Sequence, residues 1–372
     1  MEYLAKPNLI LESLLYLCAR ADGQERQRLE EHFRQKGPQA LAAFQERYAS
    51  FEVLKQELDR RVAIAPATLT RLFSNLEGFP YHMAGVYSPA FLLLAPAACR
   101  CCGDSAAFLA AQETFTSEQA AQDILTALDL TGSGQAEYDS ASAQLVDSIL
   151  SMSLPAETRL ALLELHKNYR FVMQESVQCL YTAYAVLEDM GPKLQTLTDS
   201  FTWEIHTIGS EAYTQEISNF HIDPNVPCRI QPLLMLPATY LFINTLGADG
   251  HLVVYCGILR YALRNMELSA EIARNQIYES IRLLGDRTRF DIFCYLKDHP
   301  AYGQELSSHF GLARNTIHYH YHMSQLFKAR LVRCTVEGAK TYYSIDKDRY
   351  SKLLELQRQL FLHDYPTQEP LP

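Results

Sequence analysis

Apolar residues recur at intervals of three and four through most of the first two hundred positions, and the blocks they define predict a succession of helices. Leu9 to Ala19 gives the first. Gln24 to Arg61 follows, interrupted near Gly37-Pro38, and Ala67 to Leu76 gives a third. Helical spacing continues through Ser105 to Leu128, Glu137 to Met152 and Pro155 to Met190, the last with Leu160, Leu163, Phe171, Val172 and Leu180 in step. Gly191-Pro192 stops that helix, because glycine reaches the left-handed conformation that ends helices and proline cannot continue one. Val86 to Ala98 is the most apolar stretch, but it contains two prolines and is too short to span a bilayer.

The texture changes after residue 230. Ile230 to Asn244 and Leu252 to Tyr261 are rich in β-branched, aromatic and leucine residues and flank the turn-like LGADG, which predicts a β-hairpin near 230–261. Pro232 and Pro237 would confine its first strand to an edge or break it. Helical spacing returns at Asn265 and carries Ile272, Ile277, Ile281 and Leu284. SIRLLGDRTRFDIFCYLKDHP then reads as a helix, a turn and a second helix. YGQELSSHFGLARN is a short helix, and LVRCTVEGAKTYYSI is a hairpin about Glu337-Gly338. Helix, helix, turn, helix, hairpin is the order of a winged helix-turn-helix, in which one helix reads base edges in the major groove and the hairpin touches the backbone. The expected fold is therefore mainly α with a small β-element. Residues 1–265 form a large helical sensor or dimerisation domain, 266–362 a winged helix-turn-helix, and 363–372 a flexible tail.

With 372 residues the chain is long enough for two domains and a sizeable core. Its net charge of −10 is unevenly spread: residues 1–268 hold 19 Lys and Arg against 31 Asp and Glu, whereas Ser269 to Leu362 hold 14 against 10. Between Leu306 and Ile345, Arg314, Lys328, Arg330, Arg333 and Lys340 face only Glu337. A basic segment on an acidic chain suits a phosphate-facing surface, although solvated faces of either sign also occur by chance. The nine scattered cysteines do not make a disulfide framework and fit a reducing cytoplasm. The first residues carry no basic region followed by an apolar run and cleavage site, so neither a secretory leader nor a membrane partner is expected.

The blocks LLGDRTRFDIFCYL, ELSSHFGLARNTI, YHMSQLFKARLV and EGAKTYYSID resemble, in that order, the ArsR-type winged-helix transcription regulators. The resemblance covers about Leu283 to Leu362. It implies a dimeric protein that binds double-stranded DNA sequence-specifically, usually a repressor released by a small-molecule effector. The flanking helices would dimerise; here these are Ala270 to Leu284 and Arg349 to Leu362, the latter with Tyr350, Leu353, Leu354 and Leu360. Two metal sites of that family are not expected here. Tyr302 and Gln304 stand where one site has its cysteines, and neither supplies a thiolate. Asp346 and Asp348 are present where the other begins, but no His-x-x-Glu or His-x-x-x-His follows them.

The string NTIHYHYHMSQL departs from the family pattern S-x-S-T-[VI]-S-[YH]-H-[ML]-x-x-L. Tyr319, Met323 and Leu326 match its apolar spacing, but Ile317 comes two residues too early, and two residues turn a helix by about 200°. Either the preceding turn is longer, with Asn315 as N-cap, or the helix contains a bulge; the longer turn is the favoured reading. Thr316, Ile317, His318, His320 and Tyr321 would then lie on the first turns, with His322 one turn above His318, in reach of bases. His318 and His322 could instead pair on a metal, though two histidines lacking further ligands make a weak site, or the string could simply pack. Arg314, Lys328, Arg330, Arg333, Lys340 and Tyr342 suit phosphate contact.

Other motifs carry less. ALDLTGSGQAEYD lacks the strand and the first glycine of a methyltransferase loop and reads as a helix-ending turn. In CRCCGD, Arg100 could activate Cys99, Cys101 or Cys102 as a redox sensor, or the thiols could simply pack. His221-Ile222-Asp223 and Asp249-Gly250-His251 are isolated. No nucleophile-base pair, phosphate loop or paired carboxylates point to catalysis, so neither an enzyme nor a cofactor is expected; the competing reading is a fused enzyme or interaction module that its winged helix only targets.

Overall fold

The computed structural model describes residues 2–35, 38–79, 86–128, 130, 139–209, 220–222, 227–247, 250–260, 270–311, 317–337 and 340–362. They are mainly helical, with two small sheets. After strand β1 (Glu2–Tyr3), eleven helices follow among the described residues: α1 (Leu9–Asp22), α2 (Glu25–Gln35), α3 (Pro38–Arg61), α4 (Pro66–Phe73), α5 (Pro89–Arg100), α6 (Ser105–Glu113), α7 (Ser117–Ala127), α8 (Ala141–Ser151), α9 (Ala156–Lys167), α10 (Tyr169–Asp189) and α11 (Gly191–Ile208). Strands β2 (Phe220–Ile222), β3 (Cys228–Leu233), β4 (Tyr240–Leu246) and β5 (Leu252–Gly257) come next. The remainder is α12 (Ala270–Leu284), α13 (Arg287–Leu296), β6 (Ala301–Tyr302), α14 (Gly303–His309), α15 (Ile317–Lys328), β7 (Val332–Glu337), β8 (Lys340–Ile345) and α16 (Lys347–Leu362).

Helix α1 shows how the N-terminal part closes on itself. Asn8 caps it by accepting from the Leu11 amide at 3.2 Å, and its side-chain amide donates to the Ala98 carbonyl at 2.9 Å and to the Tyr255 hydroxyl at 3.2 Å. One asparagine thus ties α1 to α5 and β5. Every residue from Ile10 to Cys18 is buried, and Gly23 ends the helix at a φ of 63°. Helix α5 is buried on all sides from Ala90 to Cys99, against α1, α4, α7, α10 and β4. That explains why its sequence has no polar stripe: a helix surrounded by protein needs none. Ser88 caps it, and Pro89 in the first turn gives up only an amide that has no helical partner. Burying Phe91, Leu92, Leu93 and Leu94 contributes about 2 kcal/mol apiece.

Three helix boundaries differ from the sequence pattern. Ser105 to Leu128 is two helices, α6 and α7, parted where Thr114 ends the first and Thr116 caps the second. Pro155 to Met190 is two helices, α9 and α10, meeting at Asn168, which turns Leu160 and Phe171 outward. Leu162, Leu165, Met173, Leu180 and Leu187 form the buried stripe instead. After Asp189 the chain ends one helix and starts α11 directly, with Pro192 in its first turn.

The first sheet has the order β1-β3-β5-β4. β1, β3 and β5 are parallel, and β4 returns antiparallel beside β5. The predicted hairpin is β4 and β5, while the stretch predicted as its first strand is divided into β3 and β4. Pro237 lies in the division. Pro232 falls beyond Arg229 and Ile230, the only β3 residues that pair with β1, so its missing N–H opens no interior ladder. Gly257 ends β5 beneath the carbonyls of Leu236, Pro237 and Thr239, where any Cβ would collide.

The second sheet has the order β2-β7-β8-β6. β7 and β8 form the predicted hairpin, with Arg333 opposite Ser344 and Glu337 opposite Lys340. β6, which the sequence pattern had not separated from the following helix, pairs Tyr302 with Tyr342 of β8. β2 pairs in parallel with β7 and comes from residues on the N-terminal side of the expected boundary at 265.

Candidate nucleic-acid interface

The C-terminal elements pack around a small core of Ile292, Phe293, Leu296, Ala301, Leu306, Met323, Leu326, Leu331, Val332 and Leu353. Helix α13 touches α12, α15 and β8, and α14 sits between β6 and α15. Asp286 organises the corner. It caps α13 by accepting from the Arg289 amide at 3.0 Å, which with nearby Arg289 and His322 holds its carboxyl below the usual carboxylate range. The Arg289 guanidinium donates back to the Leu283 carbonyl at 2.7 Å, closing the α12 to α13 turn.

Helix α15 carries the histidines and is unbroken from Ile317 to Lys328, so its described length contains no bulge. Arg314, Asn315 and Thr316 lie outside the described residues, and with them the expected Asn315 cap. The side chains of Ile317, His318, Tyr319, His320, Tyr321 and Lys328 also lie outside them. Their places around the helix follow from its register. Taking 100° per residue from the buried Met323, Leu326 and Phe327, position 319 falls on the core face, as the sequence spacing requires. Positions 317, 318, 321 and 328 fall on the side away from that face, and 320 at its flank.

The His322 side chain is buried, 9 % exposed, and its Nδ1 stands 3.8 Å from Asp286 Oδ1, so it faces the start of α13. Arg330 is also turned inward: it is 8 % exposed and adopts a left-handed φ of 55° where α15 turns into β7.

On the hairpin, Arg333 is exposed, with its Nε 3.3 Å from Ser344 Oγ across the strand pair. Tyr342 is half-buried and edge-on to Tyr302 at 5.5 Å, which fixes its ring against β6. Lys340 is placed in β8 by its backbone alone. Of the expected contact set, then, Arg333 is the described cation with an exposed side chain, and it lies on β7, which packs against α15.

The cysteine cluster does not fit a redox sensor. Cys99 is buried at the end of α5 beside the Tyr255 hydroxyl, and burial pushes its thiol up to about 12; burial also raises Cys101. Arg100 is engaged by Asp123 through contacts of 2.6 and 2.7 Å, so its charge is already matched. The cysteines sit at a helix C-terminus, where the dipole opposes a thiolate. Cys102, at a φ of 50°, turns its thiol toward the Cys99 carbonyl at 3.4 Å.

Two polar features were missed from sequence. Glu12, inside LILESLL, is fully buried and accepts from the Leu234 and Met235 amides at 2.7 and 2.8 Å; burial pushes its carboxyl up to about 7. His166 Nε2 lies 3.1 Å from Ser117 Oγ and 3.3 Å from Ser142 Oγ. Glu118 accepts from the Ser142 amide at 3.2 Å and from the Ser142 hydroxyl. Among the described residues no three His, Cys, Asp or Glu side chains group as a metal site, and no helix is long and apolar enough to cross a membrane.

Compared with protein-family models, curated proteins and solved structures, the chain matches none.

Proposed function

We propose that this chain is a sequence-specific transcription regulator that binds double-stranded DNA through a winged helix-turn-helix at 266–362. In this reading it acts as a homodimer and a repressor, and the N-terminal part answers to a ligand or a partner. The observation that carries the reading is the succession α12, α13, β6, α14, α15, β7, β8, α16 around one core, with a basic balance that the rest of the chain lacks. In it α15 is the reading helix, the positions of Ile317, His318 and Tyr321 face the bases, and Lys328, Arg333 and Lys340 meet phosphate. His320 stands at the edge of that face. The four ordered blocks that resemble ArsR-type regulators support the same assignment.

The test is affinity for an operator selected from random duplexes, measured against salt for the wild type and for Arg333→Ala with Lys340→Ala. Each lost phosphate contact lowers the slope of log K against log salt by about 0.9, so the double variant should lose about 1.8. An unchanged slope removes both residues from the interface, and failure of selection to enrich any sequence refutes specific binding.

A further inference from the structure

Strand β2 adds to the outer edge of β7, with Phe220 opposite Cys334, His221 opposite Thr335 and Ile222 opposite Val336. The pairing reaches within one residue of Glu337, where the hairpin begins its turn, and starts one residue beyond the exposed Arg333. The same stretch of chain leads into the other sheet: only five residues separate Ile222 from Cys228, the first residue of β3. At a maximum of about 3.6 Å per residue, the β7 edge and the start of β3 stand within about 22 Å along the chain. β2 is therefore a short strap from the N-terminal part laid across the edge of the hairpin.

We propose that this strap is autoinhibitory: seated on β7, it keeps the wing from the duplex, and its release raises DNA affinity. The inference rests on the winged-helix reading above. Two physical consequences of the pairing support it. Strands lie about 4.8 Å apart, so β2 widens the hairpin by that much beside Arg333 and the turn. An open β7 edge also presents backbone N–H groups that can donate to phosphate, and β2 occupies them. Because the strap is only three residues long, few ladder bonds hold it, and a modest change in the N-terminal part suffices to free it.

The experiment uses the full chain and mixed-sequence duplex DNA. Alternate N–H groups of a strand face its neighbour, so His221→Pro with Ile222→Pro removes a facing donor whichever residue supplies it. A second variant, Phe220→Gly, His221→Ser and Ile222→Gly, weakens the strand without proline. Amide exchange at Cys334 to Val336 is read without DNA and should rise about tenfold in both variants, and duplex affinity should rise by about the same factor. Unchanged exchange overturns the pairing. Faster exchange with equal or weaker duplex binding overturns the inhibition while leaving the DNA-binding reading intact. Faster exchange with no duplex binding by any of the three proteins overturns the DNA-binding reading and the inhibition with it.

Discussion

The buried Glu12 makes a signed prediction about pH. Its carboxyl titrates near 4.5 in the unfolded chain and is pushed up to about 7 when folded. Below pH 4.5 both forms hold the proton, between 4.5 and about 7 only the folded form does, and above that range neither does. This contribution is therefore fully present at low pH and is lost as pH rises through the folded value. A separation of about 2.5 units is worth about 3 kcal/mol. Other groups titrate too, so the quantity to measure is the difference between wild type and Glu12→Gln, which keeps the shape and one acceptor but cannot ionise. Urea unfolding at pH 4.5 and pH 8 should show the wild type losing about 3 kcal/mol relative to the variant. A difference that stays constant across that range would refute the reasoning, since it would mean that ionising Glu12 has no folding penalty. Glu12→Ala, by contrast, strands two buried amides and should destabilise at every pH by about 2–5 kcal/mol.

Gly257→Ala should lower stability by several kcal/mol, read as a fall in the urea midpoint, because its Cβ would press on three backbone carbonyls that cannot move independently. Leu326→Ala, on the buried face of α15, should cost about 3 kcal/mol in urea unfolding, whereas His320→Ala at the flank of that helix should leave stability within about 0.5 kcal/mol. Thiol labelling of the native protein should modify the exposed Cys294 first and leave Cys18, Cys99 and Cys256 unreacted until unfolding; early labelling of Cys99 would reinstate it as a reactive thiol.

The helices were legible wherever one face packs and the other is solvated, because only then does the sequence alternate at helical spacing. Helix α5 escaped for the opposite reason: surrounded on all sides, Ala90 to Cys99 carry no period, and Pro89 and Pro96 read as breaks. Leu160 and Phe171 misled because a single spacing was carried through Asn168, where the helix axis changes. In the C-terminal part the order of elements was readable, since each turn there has its own local signal in Asp286, Gly311 and the Glu337-Gly338 pair. Which histidine faces inward was not, because it depends on Asp286 lying beside His322 across two helices. The pairings of β2 with β7 and of Glu12 with the Leu234 turn join residues more than a hundred and more than two hundred positions apart, and nothing in either local sequence names its partner.

Those two long-range pairings lie at opposite ends of one piece of chain. Glu12 grips the amides that immediately follow β3, and β2 lies just ahead of the residue where β3 begins. A β-strand held in parallel register on both β1 and β5 moves as a unit, so loosening its end should be felt at its start. Glu12→Ala should then raise amide exchange at Leu234 and Met235 and also at Cys334 to Val336, where β2 sits on the hairpin. If exchange rises only at Leu234 and Met235, the first sheet does not transmit to the second, and whatever seats or frees the strap must act on β2 itself.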